Sequence, residues 1–224
     1  MNAQSPARQP GIFHLAVIVA ALGYFVDIYD LLLFTVVKKA SMTGLGSTDA
    51  TILADSTRVI NWQMIGLLFG GIIWGVLGDK KGRLSVLFGS IILYSVANFL
   101  TGFIHNVNQY AFCRFGAGLG LAGELGAGIT LVSELLPKSK RGIGTSLVAG
   151  IGLIGAVFAY FTYRFTDDWR LCYKIGGVLG IALLVLRISV AESGMFLQVR
   201  KQTVVRGNFL MFFTNGKRFK KYLL

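Results

Sequence analysis

Residues 11–37 read GIFHLAVIVAALGYFVDIYDLLLFTVV, and their only formal charges are Asp27 and Asp30. At about 1.5 Å per helical residue this run reaches ~40 Å, enough to cross a hydrocarbon core of ~30 Å. Two further stretches, Val59–Gly78 and Leu84–Cys113, carry no charge at all. Runs of this length, not scattered apolar stripes, identify a polytopic membrane protein. The composition agrees: 54% of the 224 residues are hydrophobic, 14% are charged, and mean hydropathy is +0.65. A soluble domain carries roughly 25% charged residues.

Six helices are expected, at 12–37, 59–78, 84–104, 110–133, 142–163 and 171–190. The sixth has a short uncharged centre between Lys174 and Arg187. It is kept as a span because long basic side chains near helix ends snorkel to the interface. The bundle occupies residues 12–192. Residues 1–11 form an N-terminal segment, and 193–224 a basic tail that lies along the inner membrane surface or leads towards a seventh helix. The first apolar run is long, contains Asp27 and lacks a clear cleavage site, so it is read as a span and not as a signal peptide.

The net charge of +12 sits in the connections between apolar runs. Arg8, Lys80, Lys81, Arg83, Lys138, Lys140, Arg141, Arg200, Lys201 and Arg206 fall on one side of the membrane. The acids Asp49, Asp55, Asp167 and Asp168 fall on the other, with Lys38, Lys39, Arg58 and Arg164. The positive-inside rule places both ends of the chain in the cytoplasm, in a plasma or inner membrane. Membrane topology accounts for the basic charge, and no nucleic-acid patch is present.

Several chemistries lack their residues. Cys113 and Cys172 read as small buried hydrophobes. His14 and His105 stand alone, so no metal site is expected. No GxxxxGK[ST] phosphate loop is present, which argues against direct ATP use. No cofactor is expected. A membrane enzyme lacks a nucleophile–base set, and a channel lacks a filter sequence or acidic ring.

Asp27 and Asp30 are three residues apart, about 60° around one helix face. Carboxylates facing lipid are costly, so this face points at a polar interior. The fourth helix runs the other way and carries Arg114 early and Glu124 near its middle. Counting ~1.5 Å per residue puts Arg114 level with Asp30, and Glu124 level with Asp27. One Asp–Arg pair and one pair of approaching carboxylates are therefore expected. In a low dielectric a carboxylate without countercharge favours its protonated form. Asp27 and Glu124 are thus candidate proton-coupling groups, the alternative being a structural charge network. Asp30 and Arg114 are either such a network or a site that attracts an anionic solute. Tyr24, Gln63, Tyr94, Asn98 and Tyr160 are candidate cavity groups. Glycines at four-residue spacing, Gly66/Gly70, Gly71/Gly75 and Gly116/Gly120, with Gly118, mark close helix packing; whether they also permit sliding stays open.

Residues 75–84, GVLGDKKGRL, resemble the loop between the second and third helices of the major facilitator superfamily. Gly75, Leu77, Asp79, Lys80, Gly82 and Arg83 fit its pattern, and Leu84 departs from it. CRFGAGLGLAGELGAG (113–128) resembles the family's fourth helix. SELLPKSKRG (133–142) resembles the segment after it in sugar-porter-like branches, and AESGMFLQ (191–198) the end of the sixth helix, with Ala191 in place of proline. YFVDIYDLLLF and GELG look most like proton-coupled phosphate and organic-acid symporters. The resemblance implies an all-α fold of six transmembrane helices, one half of the family's architecture, built as a 3+3 inverted repeat. It implies a secondary transporter working by alternating access on a small anionic or polar solute with protons. A second half would complete it, as another copy of this chain or a separate polypeptide. The alternative is an isolated half that folds or assembles without transporting by itself. Gly75, Asp79, Lys80, Gly82, Arg83, Glu134 and Arg141 would form a cytoplasmic gate. GIGLIGAVFAYF (150–161) lacks the proline of the family's antiporters, which favours symport.

Overall fold

The computed structural model describes residues 15–81 and 83–192. They form six helices: α1 Leu15–Gly44, α2 Ile52–Lys81, α3 Arg83–Thr101, α4 Val107–Leu135, α5 Arg141–Thr166 and α6 Trp169–Glu192. The expected start of the first helix at residues 12–14, Gly82 and the tail 193–224 lie outside the described residues.

Most helices run further than their apolar centres. α1 continues seven residues past Val37, and α2 starts seven residues before Val59. Hydropathy marks the hydrocarbon core, whereas a 30-residue helix of about 45 Å also crosses the headgroup layers. Glycine and hydrogen-bonding side chains fix the actual ends. α1 stops where Gly46 turns to φ +89° and Ser47 N–H donates to Met42 O at 3.0 Å, a conformation that favours glycine. α4 starts where Asn106 Oδ1 accepts from Gln109 N–H and Gln109 Oε1 accepts from His105 N–H, both at 2.8 Å.

Among the described residues, α1, α2, α5 and α6 are each long and apolar enough to span a membrane, and the Ser85–Thr101 part of α3 is a shorter apolar helix. α4 carries Arg114 and Glu124 among its apolar residues and glycines. It packs against α1, α2, α3 and α5, so its side chains meet other helices more than lipid.

Packing repeats within the chain. α2 lies against α4 as α5 lies against α1; α3 touches α4 as α6 touches α1; α3 and α6 touch each other. Exchanging the first three helices for the last three leaves the pattern unchanged. The glycine contacts repeat as well. A methyl group on Gly66 (α2) would overlap Phe115 O and stand 3.0 Å from Leu119 N. One on Gly155 (α5) would overlap Phe25 O and stand 3.1 Å from Tyr29 N. Each half-repeat thus brings a glycine of its middle helix onto the backbone of the other repeat's first helix, where lipid supplies no hydrophobic drive.

The glycine ridge reads differently from its spacing. Gly66 and Gly70 face α4, whereas Gly71 and Gly75 meet nothing within 4 Å among the described residues. Gly66→Ala is therefore expected to force α2 and α4 apart, at a cost of about 1–3 kcal/mol. Gly71→Ala adds helix propensity in open space and is expected to be neutral or stabilising. Thermal unfolding of the two variants in detergent checks this: the midpoint falls for Gly66→Ala and does not fall for Gly71→Ala.

Candidate functional site

Five charged side chains are buried inside the bundle among the described residues: Asp27, Asp30, Arg114, Glu124 and Arg187. They come from α1, α4 and α6 and form two adjoining groups.

The first group centres on Arg114, which is fully buried. Its Nη1 donates to Asp30 Oδ1 at 2.9 Å and to Asn98 Oδ1 at 2.9 Å. Its Nε donates to Gln63 Oε1 at 3.4 Å, and the guanidinium carbon lies 5.4 Å from the Tyr173 ring centre. Four helices therefore converge on one cation: α1, α2 and α3 through oxygen acceptors, α6 through an aromatic face. The amide nitrogens of Gln63 and Asn98 have no hydrogen-bond partner among the described residues. Beyond Arg114, Tyr110 and Tyr173 share a hydroxyl contact of 2.7 Å, and Phe34 and Trp169 pack on Tyr110. These rings cover the pair towards the end carrying the α1–α2 loop.

The second group centres on Glu124. Arg187 Nη1 donates to Glu124 Oε2 at 2.8 Å, and Arg187 Nη2 also contacts Glu124 Oε1. Asp27 lies within electrostatic reach of Glu124, Arg187 and Asp30, and Tyr94 within reach of Asp27 and Glu124. Asp27 Oδ1 and Tyr94 Oη are buried without a hydrogen-bond partner among the described residues.

Arg187 corrects the sequence reading, which placed it near a helix end and snorkelling outward. It is 7% exposed and turned into the bundle. The reason is Glu124: a buried carboxylate facing α6 makes the interior the better place for the guanidinium. Gly23 makes room for it, since a methyl group there would overlap Arg187 Nη2 and stand 2.6 Å from Glu124 Oε1. The two approaching carboxylates of α1 and α4 thus have a cation beside them that the spacing alone did not reveal. Lys174, the other basic residue of α6, does run outward, with Nζ 4.3 Å from the Phe103 ring centre.

Other candidates lie elsewhere. Tyr24 is half-buried and lines a cleft of about 320 Å³ with Thr145, Ser146, Val148 and Ala149. Tyr160 is 54% exposed, with its ring against Phe161. It belongs to the outer apolar face of α5 with Val157 and Phe161, so the structure does not bring it to the charged core. Asp79 and Lys80 are exposed at the end of α2, as is Gly75 one turn earlier. Arg141 Nε donates to Leu136 O at 3.0 Å across the α4–α5 turn. The side chains of Arg83 and Glu134 lie outside the described residues.

The sequence profile of the Major Facilitator Superfamily matches residues 14–219. The chain belongs to the major facilitator superfamily. Similar relatives include the niacin transporter NiaP of Acinetobacter baylyi, 32% identical over 82% of this chain and 42% of that protein. The low affinity inorganic phosphate transporter 4 of Petunia hybrida is 30% identical over 93% of this chain and 46% of its own length. The fold is that of the xylose transporter XylE from E. coli in its inward open conformation. That match has a TM-score of 0.70 at 16% identity and covers 95% of this chain and 56% of XylE. This superfamily chain is thus an integral membrane protein with the fold of half a major facilitator. It spans less than half the length of the curated relatives it matches.

Proposed function

We propose that this chain is one half of a proton-coupled secondary transporter for a small anionic or polar solute. The charge count of its buried core carries the reading. Among the described residues, three carboxylates, Asp27, Asp30 and Glu124, share the interior with two guanidiniums, Arg114 and Arg187. Unpaired charge in a low dielectric is expensive, so the surplus carboxylate takes a proton or an ionic partner. Asp30 has Arg114 and Glu124 has Arg187, which leaves Asp27 as the carrier. Niacin and phosphate, the solutes named for two relatives, support an anionic solute.

A second six-helix half encloses the solute path at mid-membrane, and rocking of the halves gives alternating access. Both ends of the chain lie in the cytoplasm. Asp79, Lys80 and Arg83, flanked by Gly75 and Gly82 and joined by Glu134 and Arg141, latch the cytoplasmic gate. Arg114 holds α1 to α4 through Asp30, with Gln63 and Asn98 steadying it.

The test is uptake of niacin and of phosphate into proteoliposomes under an imposed pH gradient, acidic outside. Accumulation of one solute that collapses with a protonophore is expected. No gradient-dependent uptake of either of them, with or without a second half supplied, contradicts the reading. A second reading is a half that assembles without transporting alone. Uptake only when a second half is co-reconstituted would establish it.

A further inference from the structure

Gly23 and Asp27 are four residues apart and share one face of α1. Gly23 brings the α1 backbone against the Arg187–Glu124 pair, and Asp27 sits one turn along, its Oδ1 buried and unpartnered. The pair and the free carboxylate are therefore stacked on the same stripe. Among the described residues, the groups within electrostatic reach of Asp27 are Asp30 on its own helix, Tyr94 on α3, Glu124 on α4 and Arg187 on α6.

Two carboxylates and one guanidinium in this group leave a choice of where a single proton resides. Arg187 donates to Glu124 Oε2 and sets its second nitrogen against Oε1, where only the Oε2 contact has hydrogen-bond geometry; this charge-assisted contact favours the ionised acid. Among the described residues, Asp27 Oδ1 receives no such bond. We propose that Arg187, seated by the absence of a side chain at Gly23, is a positioning residue that keeps Glu124 ionised and so confines the proton of this core to Asp27. The inference deepens the proton-coupled reading and rests on it for its functional meaning, but the proton's location is measurable without transport.

Infrared spectroscopy of the chain in detergent at neutral pH reads buried carboxylic acids by their C=O band, separate from ionised surface acids. One such band is expected. Asp27→Glu keeps the charge count and is expected to move the band, while Glu124→Asp leaves it in place. Arg187→Gln removes one cation and is expected to double the band area, the added component moving when Glu124→Asp is combined with it. Should Arg187→Gln fail to fold, Gly23→Ala displaces the guanidinium with the charge intact and is expected to split the band between the two acids. A band that moves with Glu124→Asp in the otherwise unchanged chain overturns the proposal. So does an unchanged band in whichever of Arg187→Gln and Gly23→Ala folds. Absence of proton-driven uptake alongside the expected infrared pattern would count against the transport reading and leave the assignment of Arg187 standing.

Discussion

Replacing Arg114 with leucine is expected to remove most of the folded protein. The substitution strands Asp30 as a buried charge and takes the donor away from Gln63 Oε1 and Asn98 Oδ1. Removing one member of a buried ion pair costs about 3–5 kcal/mol, and each stranded polar group adds about 1–3 kcal/mol. Domains are commonly stable by only about 5–15 kcal/mol, so a loss of this size depletes the native state. The cost comes from the uncompensated charge, and the double variant tests that. Asp30→Leu combined with Arg114→Leu removes both charges and is expected to recover a large part of the yield. Monodisperse protein in detergent, followed by thermal unfolding, compares the two. A single variant as stable as the unaltered chain would mean that Arg114 does not hold α1, α2 and α3 together.

Asp27→Asn is expected to abolish proton-driven accumulation while leaving the fold intact. Asparagine has nearly the shape of a protonated aspartate, and among the described residues Asp27 Oδ1 has no hydrogen bond to lose. The thermal midpoint should therefore stay within about 2–4 °C of the unaltered chain, as for a change under about 1 kcal/mol. Solute exchange across the membrane at equal pH should continue, because loading the solute does not require the proton to leave. Accumulation against a gradient should stop. Glu124→Gln is expected to behave differently, because it strands Arg187 and destabilises the bundle. Comparing uptake and melting for both variants separates carrier from counter-ion.

Much of this architecture is legible in the sequence, and the exceptions have physical causes. Apolar runs give the helices, because the bilayer demands long uncharged stretches whatever the tertiary packing. Helix rise puts Asp30 level with Arg114, and the structure has them 2.9 Å apart. Depth is harder to read on α6. An arginine five residues from a helix end looks like an interface anchor until a partner on another helix is known, and Glu124 lies 63 residues away. Helix rotation is equally hidden. Gly66/Gly70 and Gly71/Gly75 have the same spacing, the second pair five residues further along, yet only the first pair faces α4. Tyr160 falls on the exposed face of α5 for the same reason: the face of an apolar helix that turns inward is chosen by its neighbours.

The central claim is that one surplus carboxylate in a buried charge cluster carries the transported proton. The most direct measurement is simultaneous recording of solute entry and proton movement in proteoliposomes holding the intact protein, the latter with a trapped pH indicator. Adding solute without an imposed gradient is expected to acidify the vesicle interior in step with uptake, and Asp27→Asn is expected to erase the proton signal. Proton entry that persists at the unaltered rate in Asp27→Asn would contradict the account.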